Sequence, residues 1–235
     1  MAQRHAGDRT SDWVEGRVGV LLPYGLSLNG VVRDGHRVQS PALLEEPQQP
    51  FTDLEGTAAI SWRRFGLEAG YVRNDDWSPI AFRQFLLVPS VGTLPQIEWL
   101  TIRGRIAPLS WFTIATHYEH PLQGALPDGQ PPKHSYTTAT IRSRFLRNFP
   151  SGIFGLKVQA VIENWGDGVI GRDSSGVGIP VPGATYIRGL IQFQIGPFFA
   201  YYDRVNMSAT KTGYVPGYPV SGFGSTFGVR WEFSN

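Results

Sequence analysis

The chain has 235 residues, of which 41% are hydrophobic, 13% are aromatic and none is cysteine. The absence of cysteine excludes disulfide bonds, thiolate metal sites and a nucleophilic cysteine. Its 21 basic and 19 acidic residues are interspersed and give a formal charge of +2, so the sequence argues against nucleic acid as a partner.

The hydrophobic residues are spread evenly rather than collected in long runs. No stretch approaches the ~18 to 20 consecutive apolar residues that a membrane-spanning helix needs, and few segments place apolar residues at helical spacing. If the chain crosses a membrane, strands must do so. The first ten residues are polar and charged and lack the apolar region of a secretory signal.

Eleven segments are predicted to be β-strands, because apolar and polar residues alternate within them and turn residues separate them. In chain order they are 12–22, 26–33, 56–63, 67–73, 98–107, 111–119, 135–145, 153–164, 184–194, 198–206 and 225–233. Short turns join them in pairs, so that each pair has the pattern of a hairpin; the turns are 23–25, 64–66, 108–110, 147–152 and 195–197.

The connections between these hairpins are long and rich in Gly, Pro, Asp and Ser: 34–55, 74–97, 120–134, 165–183 and 207–224. Outer-membrane barrels are built in this way, with short turns on the periplasmic rim and long loops on the extracellular rim. A soluble β-sandwich has no reason to sort its connections by length. The sorting therefore favours a membrane barrel in the outer membrane of the cell.

The alternation within strands supports the same fold class. In the last strand Phe227, Val229 and Trp231 share one face, whereas Arg230 and Glu232 share the other. Several strands reach the ~9 to 11 residues that cross a bilayer at a tilt. The predicted fold is all-β, an antiparallel up-and-down transmembrane β-barrel of about 11 strands, with outer-membrane lipid against its apolar face.

Aromatic residues near the strand ends are predicted to form the interfacial girdles of such a barrel. An alternative is that aromatics simply favour strands. The residues concerned are Trp13, Tyr24, Trp62, Phe65, Trp99, Trp111, Phe145, Phe149, Trp165, Phe198, Phe199 and Trp231.

Eleven strands leave the two ends of the chain on opposite rims, whereas single-chain bacterial barrels have an even strand number. We therefore expect this chain to be the C-terminal part of a larger barrel. A further strand at 81–88 would change this parity. The chain is divided into a polar segment or extracellular loop at 1–11 and barrel strands at 12–235.

Three runs in the C-terminal hundred residues form a recognisable set: FLRNFPSG at 145–152 before Phe154, YVPGYP at 214–219 and FGVRWEF at 227–233. Together they resemble the end of a TonB-dependent-receptor-type outer-membrane barrel. In that family the terminal aromatic strand is a signal for the barrel assembly machinery. Here Ser234 and Asn235 follow the last Phe, which departs from a strictly terminal aromatic. The first hundred residues resemble this family only in their general pattern of strands and loops.

The resemblance implies a large barrel that encloses a plug domain and imports a scarce nutrient, such as a metal chelate, a glycan fragment or a cofactor. It also implies three partners: outer-membrane lipid, the barrel assembly machinery, and a TonB-type periplasmic energy coupler. Neither a plug nor a coupling box is visible in these residues. The implied role is that of barrel wall and extracellular loops for nutrient uptake.

Candidate metal ligands are few. His117, Glu119 and His120 look like a metal set, but residues three apart on a strand point to opposite faces, which disfavours a shared ion. The pair Asp75 and Asp76, or Asp167 with Asp173, could ligate Ca²⁺, although turn formation is the more common role of such residues. The run 174–178 could cradle a phosphate but precedes no helix, so it is interpreted as a loop.

Charged residues on the inward face could form a lumen ladder that tunes ion selectivity or contacts a plug. They could equally be solvated charges paired across strands, each worth well under ~1 kcal/mol, and we prefer this second interpretation. They are Arg17, Arg103, Arg105, Lys157, Arg188 and Arg230, with Glu15, Glu119, Glu163 and Glu232.

No catalytic motif is present in the sequence, so an enzyme is not predicted, and neither cofactor nor substrate-binding residues can be assigned. Two other functions remain open. One is a passive porin-like channel, which a plug domain would distinguish from a receptor. The other is a soluble all-β carbohydrate-binding protein, which would bury its apolar face between two sheets.

Overall fold

The computed structural model describes residues 2–6, 9–37, 49–77, 80–82, 89–91, 94–123, 133–173, 175–211 and 222–232. Twelve strands in these ranges form one sheet: β1 (Ala2–Ala6), β2 (Arg9–Leu22), β3 (Leu26–Arg37), β4 (Gln49–Trp62), β5 (Phe65–Trp77), β8 (Leu94–Leu109), β9 (Phe112–Gln123), β10 (His134–Ser143), β11 (Phe154–Trp165), β14 (Ala184–Ile195), β15 (Phe198–Val205) and β16 (Gly224–Trp231). Two small hairpins complete the described strands: β6 (Ile80–Phe82) with β7 (Pro89–Val91), and β12 (Gly168–Arg172) with β13 (Gly178–Val181).

The large sheet is antiparallel throughout, and each strand pairs with the next one of the sheet along the chain. This up-and-down order confirms the predicted fold class. The sheet is open, since no pairing joins β1 to β16 in the described residues. Few side chains are buried, because a single curved layer has no second sheet against which to pack.

All eleven predicted strands are found, and the added twelfth strand is β1. This strand lies within the segment 1–11 and pairs with the start of β2, from Ala2 opposite Trp13 to Ala6 opposite Arg9. Its sequence AQRHA shows no apolar alternation, so periodicity does not predict a strand there. The division of the chain at residue 11 stays a prediction.

The sorting of connections by length is confirmed for the five predicted hairpins. The hairpin turns β2–β3, β4–β5, β8–β9 and β14–β15 each leave only two or three residues outside the strands, and β10–β11 leaves ten. All five lie on one rim of the sheet, which we call the short-turn rim. The opposite rim, the long-loop rim, carries the small hairpins β6–β7 and β12–β13. β1 departs from the sorting, since β1 ends at Ala6 and β2 begins at Arg9 on the long-loop rim. As the twelfth strand of the sheet, β1 also removes the odd strand number on which the prediction of missing upstream strands depends. The proposed strand at 81–88 lies mostly outside the described residues.

The structure contains one helical segment within the described ranges, a single 3-10 turn at Pro23–Gly25. None of the described helices is long and apolar enough to cross a membrane.

Candidate functional site: the two faces of the sheet

The register between neighbouring strands shows which side of the sheet each residue faces. Side chains alternate along a strand, and directly paired residues share a face. One face, the apolar face, consists almost wholly of hydrophobic side chains in its central band. It includes Val14, Val18, Val20, Leu28, Val32, Leu54, Ile60, Leu67, Ile102, Ile106, Ile114, Ile141, Val158, Ile162, Ile187, Ile191, Phe193, Tyr202, Phe227 and Val229.

The opposite face, the polar face, carries nearly all the charged residues of the same strands. Its members include Glu15, Arg17, Asn29, Arg33, Asp53, Glu55, Thr57, Glu68, Arg103, Arg105, His117, Glu119, His134, Tyr136, Thr140, Arg142, Lys157, Gln159, Glu163, Arg188, Gln192, Asp203, Thr226 and Arg230.

The apolar face is uncovered. Val18 is 67% exposed, Val229 63% and Phe227 84%, although each sits in the middle of a strand. On β14 the apolar positions run from Ile187 to Ile195, and at about 3.3 Å per residue they span about 26 Å along the strand. This extent agrees with the ~25 Å apolar band of membrane barrels.

Polar side chains appear on the apolar face where the strands approach the long-loop rim. Thr52 donates a hydrogen bond to Asp34 (2.8 Å), and the Arg73 guanidinium donates to both carboxylate oxygens of Asp75 (2.8 and 3.0 Å). On β11, Asn164 donates to Thr185 at 2.8 Å. The apolar band therefore ends below this rim, and the strands continue past it.

Aromatic side chains gather at the short-turn rim, where the apolar band ends on the other side. Three hairpins contribute ring pairs: Trp62 with Phe65 (centroids 6.1 Å apart), Phe149 with Phe154 (5.1 Å), and Phe198 with Trp231 (5.9 Å, edge to face). These contacts agree with the girdle predicted at this rim.

Four of the aromatics predicted for the girdle lie instead on the polar face, and for them the prediction is wrong. Register places Trp13 beside Gly35, Trp99 beside Val72 and Phe199 beside Arg230, all on that face. The fourth, Trp165, stacks on the His134 ring at 3.7 Å. Position near a strand end does not specify a face, because neighbouring residues on a strand point to opposite faces of the sheet.

Several charges of the polar face form ion pairs, some across strands and some along one strand. Arg33 donates to Glu15 at 2.6 Å, Arg103 to Glu68 at 2.8 Å, and Arg188 to Asp203 at 2.8 Å. Arg17 also donates to Glu15, and Arg230 lies 2.8 Å from Glu232. Among the predicted cations, cross-strand pairing is therefore found for Arg103 and Arg188, whereas Arg17 pairs within its own strand and Arg230 pairs with Glu232 just after the end of its strand.

Two histidines on the polar face contact carboxylates. The His134 Nε2 atom is 2.9 Å from Glu163, and the His117 Nε2 atom is 3.1 Å from Glu119. His120 lies on the apolar face, where its ring stacks on Tyr118 with centroids 6.1 Å apart. The structure therefore separates His117 from His120, and no group of three or more His, Asp or Glu in the described part of the chain could hold a metal ion.

The candidate calcium ligands accept hydrogen bonds from their own loops. Asp167 accepts the Gly183 amide at 2.6 Å, and Asp173 accepts the Ser175 amide, the Ser175 hydroxyl and the Val177 amide at 2.9, 2.7 and 2.9 Å. These donors hold the pKa of the Asp173 carboxyl below its usual value, the Ser175 hydroxyl contributing most. Both residues thus act as turn formers here. Ser174, the start of the candidate phosphate loop, and the Asp76 side chain lie outside the described residues.

Comparison with known proteins bears on the fold of the chain. No known family profile matches the sequence, and no curated protein matches it either. Among solved structures, the chain is similar to BauA, the ferric preacinetobactin receptor from Acinetobacter baumannii, with a TM-score of 0.65 and 13% identity over 96% of this chain and 36% of that one. It is also similar to the FrpB iron transporter from Neisseria meningitidis, with a TM-score of 0.67 and 11% identity over 96% of this chain and 38% of that one.

The predicted resemblance to the barrel of TonB-dependent-type receptors is therefore confirmed for the fold. The chain spans little more than a third of the length of the two solved structures, 36% and 38%. Its twelve-stranded sheet corresponds to a stretch of barrel wall.

Proposed function

We propose that this chain forms part of the wall of an outer-membrane receptor barrel of the TonB-dependent type and contributes extracellular loops for nutrient uptake. The observation that carries the proposal is the uncovered apolar face, about 20 to 26 Å along the strands at ~3.3 Å per residue, flanked by polar side chains at the long-loop rim and aromatics at the short-turn rim.

The polar face supports a water-filled or protein-filled interior. Ionised side chains that lie in a lumen keep water or polar partners, whereas the same groups against lipid would cost several kcal/mol each. Wide barrels of this class commonly enclose a plug. A plug and a periplasmic energy coupler are accordingly the partners that we propose for the whole receptor, with the assembly machinery required for insertion.

The two similar structures are those of a ferric preacinetobactin receptor and an iron transporter. We extend to this chain only the general role, uptake of a scarce nutrient across the outer membrane. A soluble carbohydrate-binding protein is a poor alternative, because in the described residues no second sheet covers the apolar face.

The first test is fractionation of the native protein with electrophoresis before and after boiling. A membrane barrel should appear in the outer-membrane fraction, require detergent for extraction, and change its mobility on boiling. A freely soluble protein with unchanged mobility would contradict the proposal.

A second measurement separates a receptor from a porin-like channel. In a planar lipid bilayer, the purified native protein should show little steady conductance if a plug fills the barrel. Large, stable conductance steps would favour the passive channel instead.

A further inference from the structure

A recess on the polar face near the short-turn rim collects positive charge. It lies on β10, β11 and β14 and is lined by Arg142, Arg144, Gly155, Lys157, Gln192 and Gln194. Gly155 contributes no side chain, so the recess stays open between Lys157 and the rim. A Cβ at Gly155 would lie 3.3 Å from the Gln194 amide oxygen.

Two of the cations face each other directly. Arg142 and Lys157 are register partners on neighbouring strands, with Lys157 paired on its other side to Gln192. Directly opposed side chains have Cβ atoms about 4.5–5.5 Å apart, and like charges at that separation destabilise a sheet. Arg144 lies just after the end of β10 at Ser143 and also lines the recess.

The local sequence offers nothing to neutralise this charge. Residues 139–162 and 187–202, which supply the recess, contain no Asp or Glu. None of Arg142, Arg144 and Lys157 forms an ion pair in the part of the chain that the structure describes. Elsewhere on the polar face, cations such as Arg33, Arg103 and Arg188 each contact a carboxylate.

We propose that this recess is a binding site for a small multivalent oxyanion, one that carries carboxylate or phosphate groups and is free in the aqueous lumen. Three cationic side chains supply charge, and Arg guanidinium groups match the geometry of carboxylate and phosphate oxygens. Gln192 supplies a further amide donor at the side of Lys157 away from Arg142. Binding would relieve the repulsion between the opposed cations.

The inference deepens the proposed function, since it rests on this face being a solvated lumen. It places an anion site on the barrel wall at the short-turn side, remote from the long loops. The ligand class is therefore a polyanionic solute that passes through, or rests in, the lumen.

The test is thermal unfolding of the native protein in detergent, followed by the fluorescence of its 7 tryptophans. Citrate and inorganic phosphate are compared with sodium chloride at equal ionic strength. We expect each oxyanion to raise the unfolding midpoint by about 2–4 °C relative to chloride. No rise beyond that in chloride would overturn the proposal.

Single substitutions test whether the oxyanion-dependent rise of the unfolding midpoint arises at this recess. Arg142→Gln and Lys157→Gln should each remove most of the oxyanion-dependent rise without lowering the midpoint in chloride, because each relieves the repulsion. Lys133→Gln removes an exposed cation beyond the opposite end of β10 and should keep the full rise. Equal rises of the unfolding midpoint in the wild-type protein and all three variants would overturn the site. Loss of the oxyanion-dependent rise in Lys133→Gln alone would also overturn it.

This readout does not depend on membrane location. If fractionation contradicted the outer-membrane barrel while the oxyanion effect persisted, the anion site would stand and the proposed function would fail. If the protein fractionated as an outer-membrane barrel but showed no oxyanion effect, only the anion site would fail.

Discussion

The turn between β2 and β3 shows how a single residue fixes a hairpin. Tyr24 and Gly25 both adopt positive φ, 63° and 75°, and the Leu26 amide donates to the Pro23 carbonyl to close the turn. A Cβ on Gly25 would lie 2.1 Å from the Ser61 carbonyl oxygen on β4. Glycine is required here for both its conformation and its lack of a side chain.

We therefore expect Gly25→Ala to destabilise the protein by about 1–3 kcal/mol, the usual cost of a residue held in a strained backbone conformation. The measurement is the guanidinium unfolding midpoint in detergent. Gly16→Ala is the matched control, because a Cβ at Gly16 meets no atom within 4 Å. Equal losses for the two variants would contradict this account of Gly25.

Asp173 gives a residue-scale prediction on pH. Its carboxylate accepts three hydrogen bonds within its own loop, which lower its pKa, the largest contribution coming from the Ser175 hydroxyl. A lowered pKa in the folded loop means that the stabilisation is complete above the ordinary aspartate value and is lost as pH falls through the lowered pKa.

Hydrogen exchange at the Val177 amide, which donates to Asp173 at 2.9 Å, should report this loss. We expect its protection, corrected for intrinsic exchange, to fall below pH ~4, near the ordinary aspartate pKa. In Asp173→Ala the protection should be low at every pH. A protection factor that is independent of pH in the wild-type protein would contradict the prediction.

Residue-scale roles were only partly predictable from the sequence. Lys157 was assigned to the inward face from alternation within its strand, but its opposition to Arg142 depends on register between strands. Register is set by turn geometry and by the pairing of whole faces, neither of which a single strand reveals. The turn role of Asp173 was predictable because the local run GRDSSG at 171–176 is rich in Asp, Ser and Gly, which favour turns.

At the scale of the element, each strand separates residues of the apolar face from residues of the polar face. Val18 on β2 belongs to the apolar face, whereas Val31 on β3 lies on the polar face between Arg17 and Glu55. The two residues have the same side chain and lie near the middle of neighbouring strands, so they form a matched pair.

Val18→Arg should cost about 2–4 kcal/mol in a bilayer, the usual cost of arginine on the lipid face near the midplane. Val31→Arg should cost less than about 1 kcal/mol, because the new charge stays in water and its attraction to Glu55 offsets its repulsion from Arg17. Reversible unfolding in phospholipid vesicles measures both. A larger cost for Val31→Arg would place the faces the other way round, and equal costs would contradict lipid contact at the apolar face.

The strands are longer than the sequence predicts, mainly towards the long-loop rim. β4 begins at Gln49 and not at residue 56, and β8 begins at Leu94 and not at residue 98. In these extensions polar groups occupy both faces, as where Thr52 contacts Asp34 on the apolar face. The two-residue alternation fades there, so sequence periodicity predicts the part of each strand that lies within the apolar band and misses its continuation.

At the scale of the whole molecule, the two rims imply an orientation. The proposed barrel places the short-turn rim in the periplasm and the long-loop rim outside the cell. Lys133, beside the start of β10, and Ser151, in the turn between β10 and β11, are both exposed and lie at opposite rims. The chain has no cysteine, so one introduced cysteine provides a unique label site.

Lys133→Cys should react with a membrane-impermeant maleimide in intact cells, because that rim would face the medium. Ser151→Cys should react only after the outer membrane is permeabilised, and both should react fully in the unfolded protein, which controls for intrinsic reactivity. Labelling of Ser151→Cys alone in intact cells would invert the orientation. Equal labelling of both sites before permeabilisation would mean that the sheet does not separate two compartments, which would contradict the barrel at the largest scale.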